Sequence, residues 1–193
     1  MKNNGGMNNA YTSLTNTNYH FDCSNEAFEE GLDRLSQFFI CPTFSKASAE
    51  REVNAVNSEF NQSLQSDGWH FFNLCQRISN QDSLFNRFNC GNLKSLSQPG
   101  MHESLLEFHK KWYSSNIMTL TVRSKHDIDS LEKWVTEKFS PVINKNVVVP
   151  NLGDPNPYPT GNLGKLVKFV PVQDTDQLTF SWVLPYVEKD FKT

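Results

Sequence analysis

The sequence predicts an α+β fold with a mostly antiparallel sheet and packed helices. Three observations point there. Short β-prone segments lie near both ends, helical repeats fill the middle, and the two kinds of segment mix without a strict βαβ alternation. The first element is a hairpin: Asn8 to Leu14 and Asn18 to Asp22 carry Tyr and Phe around the polar Thr15-Asn16-Thr17 turn. Ser24 or Asn25 can then cap a helix whose first turn holds Glu26 and Glu29, where the helix dipole favours acids. Phe28, Leu32, Leu35 and Phe39 recur at helical spacing as its core face, and Pro42 stops it.

A second helix is predicted from near Ser45 to about Gln65, burying Val53, Val56, Phe60 and Leu64. Trp69, Phe72, Leu74, Cys75 and Ile78 mark a third helix after Ser66-Asp67-Gly68. Asn80 to Pro99 is largely polar with scattered Phe and reads as a long loop with little regular structure. Met101 to Tyr113 repeats as a helix with Leu105, Phe108 and Trp112 aligned. Ile117 to Arg123 alternates like a strand, and Ile128 to Phe139 returns to helical spacing. Pro150, Pro155, Pro157 and Pro159 preclude a helix in the segment that follows. Leu166 to Val170 and Leu178 to Val183 are predicted as closing strands.

Composition narrows the function. A chain of 193 residues, 37% hydrophobic, with fifteen Phe and four Trp, can bury one core, so one domain or most of one is expected. A net charge of -3 supplies no basic patch for nucleic acid. No run approaches the length of a membrane span and Met1-Lys2-Asn3-Asn4 opens no secretory signal, so a cytoplasmic protein away from the membrane is the default expectation. Cys23, Cys41, Cys75 and Cys90 show no Cys-x-x-Cys spacing and read as free thiols.

The most informative segment is Arg51-Glu52-Val53-Asn54-Ala55-Val56-Asn57-Ser58-Glu59. Seven residues are close to two helical turns, so Glu52 and Glu59 share a helix face with Ala55 and Val56 between them. Taken alone, the pair is either two acids on a solvated face or half of a site that needs a positive partner. The surrounding blocks resolve what the pair is similar to. Gly6-Met7-Asn8-Asn9-Ala10-Tyr11-Thr12, Thr17-Asn18-Tyr19-His20-Phe21-Asp22, Leu32 to Pro42, Arg51 to Glu59, and Lys111 to Leu120 resemble, in order and spacing, the insulinase and pitrilysin family. Ser130 to Ser140 looks closest to its nardilysin branch. The resemblance runs from about Gly5 to the end of the chain.

Members of that family are zinc metallopeptidases of the inverted type, with His-x-x-Glu-His on a helix. By this resemblance Glu59 is a zinc ligand, Glu52 supports the ligands by hydrogen bonding, and Asn9 and Ala10 lie on an exposed strand edge that accepts substrate backbone. If Glu59 is buried with no metal, its charge lacks a partner. The resemblance implies a partial peptidase domain over 5–140 with its ligand helix at about 45–65. A Pro, Asn and Gly-rich linker over 141–164 and the start of a strand-rich segment over 165–193 would follow, the fold being incomplete at both ends.

The departure from the family is large. The five histidines are His20, His70, His102, His109 and His126, and none completes His-x-x-Glu-His. In His102-Glu103-Ser104-Leu105-Leu106-Glu107-Phe108-His109, Leu106 stands where a ligand would be needed; both histidines read as surface residues. In the family the motif precedes the Gly6 block, so the chain is expected to be a fragment of a nardilysin-like zinc endopeptidase. That enzyme would act on peptides, at basic sites, with Zn2+ not bound tightly by this chain alone. The expected partners are peptide substrate and the missing domains or a full-length homologue. The alternative is a non-catalytic peptide-binding or heteromeric partner module of the same fold. In either case apolar surface is expected to lie exposed, favouring aggregation or partner binding.

Overall fold

In a computed structural model of the chain, residues 5–151, 156–173 and 176–184 are described. The elements run β1 (Asn8–Thr12), β2 (Thr17–Phe21), α1 (Phe28–Ile40), α2 (Lys46–Ser63), α3 (Asp67–Ile78), α4 (Leu93–Leu96), α5 (Met101–Trp112) and α6 (Ile128–Phe139). The α+β class holds, with a sheet that is antiparallel and two-stranded among the described residues. The chain divides into two compact units, Met1–Ala55 with Asn92–Leu152, and Val56–Gly91 with Gly153–Thr193.

In the first unit the hairpin forms as predicted, with Thr17 joining the strand and not the turn. Ser13 N–H donates to the Asn16 carbonyl at 2.8 Å, closing it. Gly6 is required at its base, because a Cβ there would stand 1.9 Å from the Asp22 carbonyl oxygen. Neither Ser24 nor Asn25 caps α1. A 3-10 turn over Asn25–Ala27 leads into it with no side-chain cap bond. The predicted apolar face does pack: Phe28 and Leu32 are buried, Phe28 beside the Phe21 and His126 rings, and α1 contacts α6, while Leu35 and Phe39 are half-buried. Asp127 caps α6 by accepting from the Ser130 N–H at 2.8 Å.

In the second unit Ser66 caps α3, which starts two residues before Trp69. Trp69, Phe72, Phe85 and Tyr158 follow one another edge to face at 5.7 to 6.2 Å. Gln76, buried, donates from its carboxamide to the carbonyls of Phe85 and Arg87, which satisfies backbone that has no ladder. The Tyr158 hydroxyl donates to the Cys75 carbonyl at 2.9 Å, and burial pushes its pKa up to about 12.

Several expectations are corrected. Asn80 to Pro99 is mostly loop but holds more than expected: a 3-10 turn over Leu84–Asn86 and the helix α4, set by a capping box between Asn92 and Ser95. Ile117 to Arg123 is not a strand. Ser115–Ile117 forms a 3-10 turn, and the extended backbone after it has no ladder partner. Leu166 to Val170 and Leu178 to Val183 likewise pair with nothing in a ladder among the described residues. The reason is common to all three: β-prone residues become a strand only where a second strand takes up their backbone groups. No residue of α2 is buried; Val53, Val56 and Phe60 are half-covered and Leu64 is exposed. Among the described residues, no helix is long and apolar enough to cross a membrane.

Candidate functional site

The register of the hairpin determines which backbone groups β1 offers to solvent. Asn9 stands opposite His20 and Ala10 opposite Tyr19. Asp22 N–H donates to the Met7 carbonyl at 2.9 Å, and Ser13 pairs with Asn16 in the same way. Antiparallel pairs alternate between hydrogen-bonded and non-hydrogen-bonded, so Met7, Asn9, Tyr11 and Ser13 direct their backbone groups to β2. Asn8, Ala10 and Thr12 direct theirs outward. The Thr12 and Thr17 hydroxyls, 3.2 Å apart across a non-hydrogen-bonded pair, agree with this phase. The outer edge of β1 has no strand beside it among the described residues, and all five of its residues are exposed.

Behind this edge the hairpin is anchored by Tyr19. Its ring meets Phe38 and Phe39 edge-on at 5.9 and 5.6 Å, and its hydroxyl hydrogen-bonds that of Tyr113. Burial, first, and this bond raise the Tyr113 pKa above its ordinary value, so its hydroxyl stays protonated. The anchor holds β1 by contacts made from β2, leaving the outer edge open.

Glu52 and Glu59 both lie on α2, and both are exposed. Glu59 is therefore not a buried charge awaiting a partner. Its charge instead acts on Cys90, whose thiol pKa is raised by burial and, secondarily, by Glu59. Thirty-one residues separate the two in sequence, and nothing in the local pattern signalled the approach.

The histidines are occupied elsewhere. His102 and His109, read as surface residues, are half-buried, and their Nε2–H groups donate to the carbonyls of Phe44 (2.7 Å) and Phe38 (3.1 Å). His126 donates to the Asn25 carbonyl at 3.1 Å and His70 to that of Leu64 at 2.9 Å. Each ties its helix or loop to a backbone carbonyl elsewhere in its unit, a role no spacing rule could show. Among the described residues no three His, Cys, Asp or Glu side chains come close enough together to hold a metal ion. The donor set present does not fit the zinc centre implied by the family resemblance, which needs three protein ligands.

The fold matches a crystal structure of pitrilysin with a TM-score of 0.75 and 32% identity, over 80% of this chain and 17% of that one. The architecture is thus a pitrilysin-like fold. Residues 1–82 match the family described as Insulinase (Peptidase family M16), and residues 101–193 match Peptidase M16 inactive domain. The chain belongs to the insulinase peptidase family. It is 40% identical to insulin-degrading enzyme of Drosophila melanogaster, over 98% of this chain and 20% of that protein. It is 38% identical to a Schizosaccharomyces pombe protein whose name includes the words zinc protease, over 96% of this chain and 20% of that one. A nardilysin-like protein of Arabidopsis thaliana is 38% identical, with 96% and 19% covered, so identity does not separate the nardilysin branch from the insulin-degrading one. The chain spans about a fifth of the length of these relatives.

Proposed function

We propose that this chain is the peptide-engaging part of a nardilysin-like zinc endopeptidase, inactive by itself and acting on peptides at basic sites in the intact protein. The observation that carries the reading is the open outer edge of β1 in a chain of a peptidase family. Outward N–H and C=O groups at Ala10 suit an extended peptide added as a further strand, largely independent of its sequence. Asn9 and Ala10 would contact that peptide. Glu59 would be one protein ligand of zinc, with Glu52 supporting the ligand set. The imidazoles that complete such a centre belong to His-x-x-Glu-His, which this sequence lacks. A peptidase segment over 5–140, a linker over 141–164 and a strand-rich segment from 165 are the boundaries this reading entails.

Titration of the purified chain with Zn2+ is expected to show no tight stoichiometric binding, and the chain is expected to cleave no peptide. Chelator-sensitive peptidase activity from the 193-residue product would overturn the assignment. In a longer chain that supplies His-x-x-Glu-His, Glu59→Gln should lose the metal, and Glu52→Gln should weaken it by about 10- to 100-fold. A second reading, a non-catalytic peptide-binding module, draws support from the missing donor set among the described residues. It predicts that neither substitution affects any metal.

A further inference from the structure

We infer that the Asn9 side chain is a built-in competitor for the peptide-binding edge of β1. The inference rests on the reading of that edge given above. Ala10 directs its N–H outward, away from β2, where an added strand would accept from it. The Asn9 Oδ1 already does so: Ala10 N–H donates to it at 2.9 Å. Asn9 itself pairs its backbone inward with His20, so its side chain can reach the outer donor of the next residue without disturbing the hairpin. The carboxamide therefore closes an otherwise open donor on an exposed edge. A free edge donor is a template for unwanted pairing between chains, and a side-chain cap blunts it.

The cap gives way without strain. Asn9 is exposed, so its carboxamide can turn into solvent and exchange one hydrogen bond for others with water. An incoming peptide must displace it, and the ligand able to do so is an extended backbone whose carbonyl takes the Ala10 N–H while its neighbours pair along the strand. A solitary carbonyl gains nothing by the exchange. The device thus selects a peptide strand over single acceptors.

The test uses the isotopically labelled chain, amide exchange by NMR, and a blocked Val/Thr pentapeptide as probe. Asn9→Ala is expected to speed exchange of the Ala10 amide and to tighten peptide binding, each by about two- to five-fold, the size of a net exposed hydrogen bond. Ala10→Pro removes the donor at an edge position that tolerates proline, and should abolish binding at this edge. Unchanged Ala10 exchange in Asn9→Ala would overturn the cap. Weaker binding by Asn9→Ala would also overturn it, making the net effect of Asn9 on the peptide attractive and leaving the edge reading intact. Binding that survives Ala10→Pro, or no binding by any variant, would overturn the edge reading and the competitor with it.

Discussion

His109 shows how one residue couples packing to pH. Its ring stacks on Tyr113 at 4.3 Å and its Nε2–H donates to the Phe38 carbonyl. Burial lowers its pKa from the ordinary 6.5, Lys145 adds to the lowering, and the bond to Phe38 opposes it in part. The unfolded chain then binds a proton at a higher pH than the folded one. Stability contributed by neutral His109 is complete above about 6.5 and is lost as pH falls through the lower folded value. Urea unfolding midpoints should decline as the pH drops below about 6.5, and His109→Gln should flatten that profile. An unchanged slope in the variant would assign the decline to another group. Nothing in the i, i+7 spacing of His102 and His109 could show this, because their acceptors lie 58 and 71 residues away.

At the scale of elements, the long helices and the hairpin were legible, and the later strands were not. The apolar repeat places α5 and α6 within a residue of their observed ends, since each helix satisfies its own backbone within four residues. Strands depend on a partner elsewhere, and Ile117 to Arg123, Leu166 to Val170 and Leu178 to Val183 find none in a ladder among the described residues. The helix α4 escaped because one turn is too short for a periodic signal. Its start is set by Asn92, whose side chain accepts from the Ser95 N–H at 2.9 Å while Ser95 Oγ accepts from the Asn92 N–H at 3.0 Å. Asn92→Ala should remove the reciprocal cap at a cost of about 1 kcal/mol, read as a lower unfolding midpoint. Loss of the α4 amide protection should accompany it.

The molecule as a whole exposes much apolar surface. Val170 is 90% exposed and Trp182 78%, and Trp182 stacks on Phe180 in a stretch without ladder bonds. Leu120, Val122, Ile128, Leu131 and Val135, with Glu132, line an open and largely apolar groove of about 310 Å³ along α6 in the first unit. Such surface is expected of a chain that spans a fifth of its relatives' length, and it should drive self-association. The purified chain should bind an apolar dye and show a concentration-dependent hydrodynamic radius. A compact, monodisperse monomer that takes up no dye would contradict this.

The residues alone settled the family, the long helices, the hairpin and the lack of His-x-x-Glu-His, because each is written in contacts or motifs a few positions long. They could not say that α2 is only half-covered, that Glu59 stands in solvent near Cys90, or that four imidazoles are spent on backbone carbonyls. Nor could they reveal the Asn9 cap on an outward Ala10 N–H. Burial and hydrogen-bond direction are set by partners distant along the chain, and hydrophobic attraction, having no direction of its own, names none of them in advance.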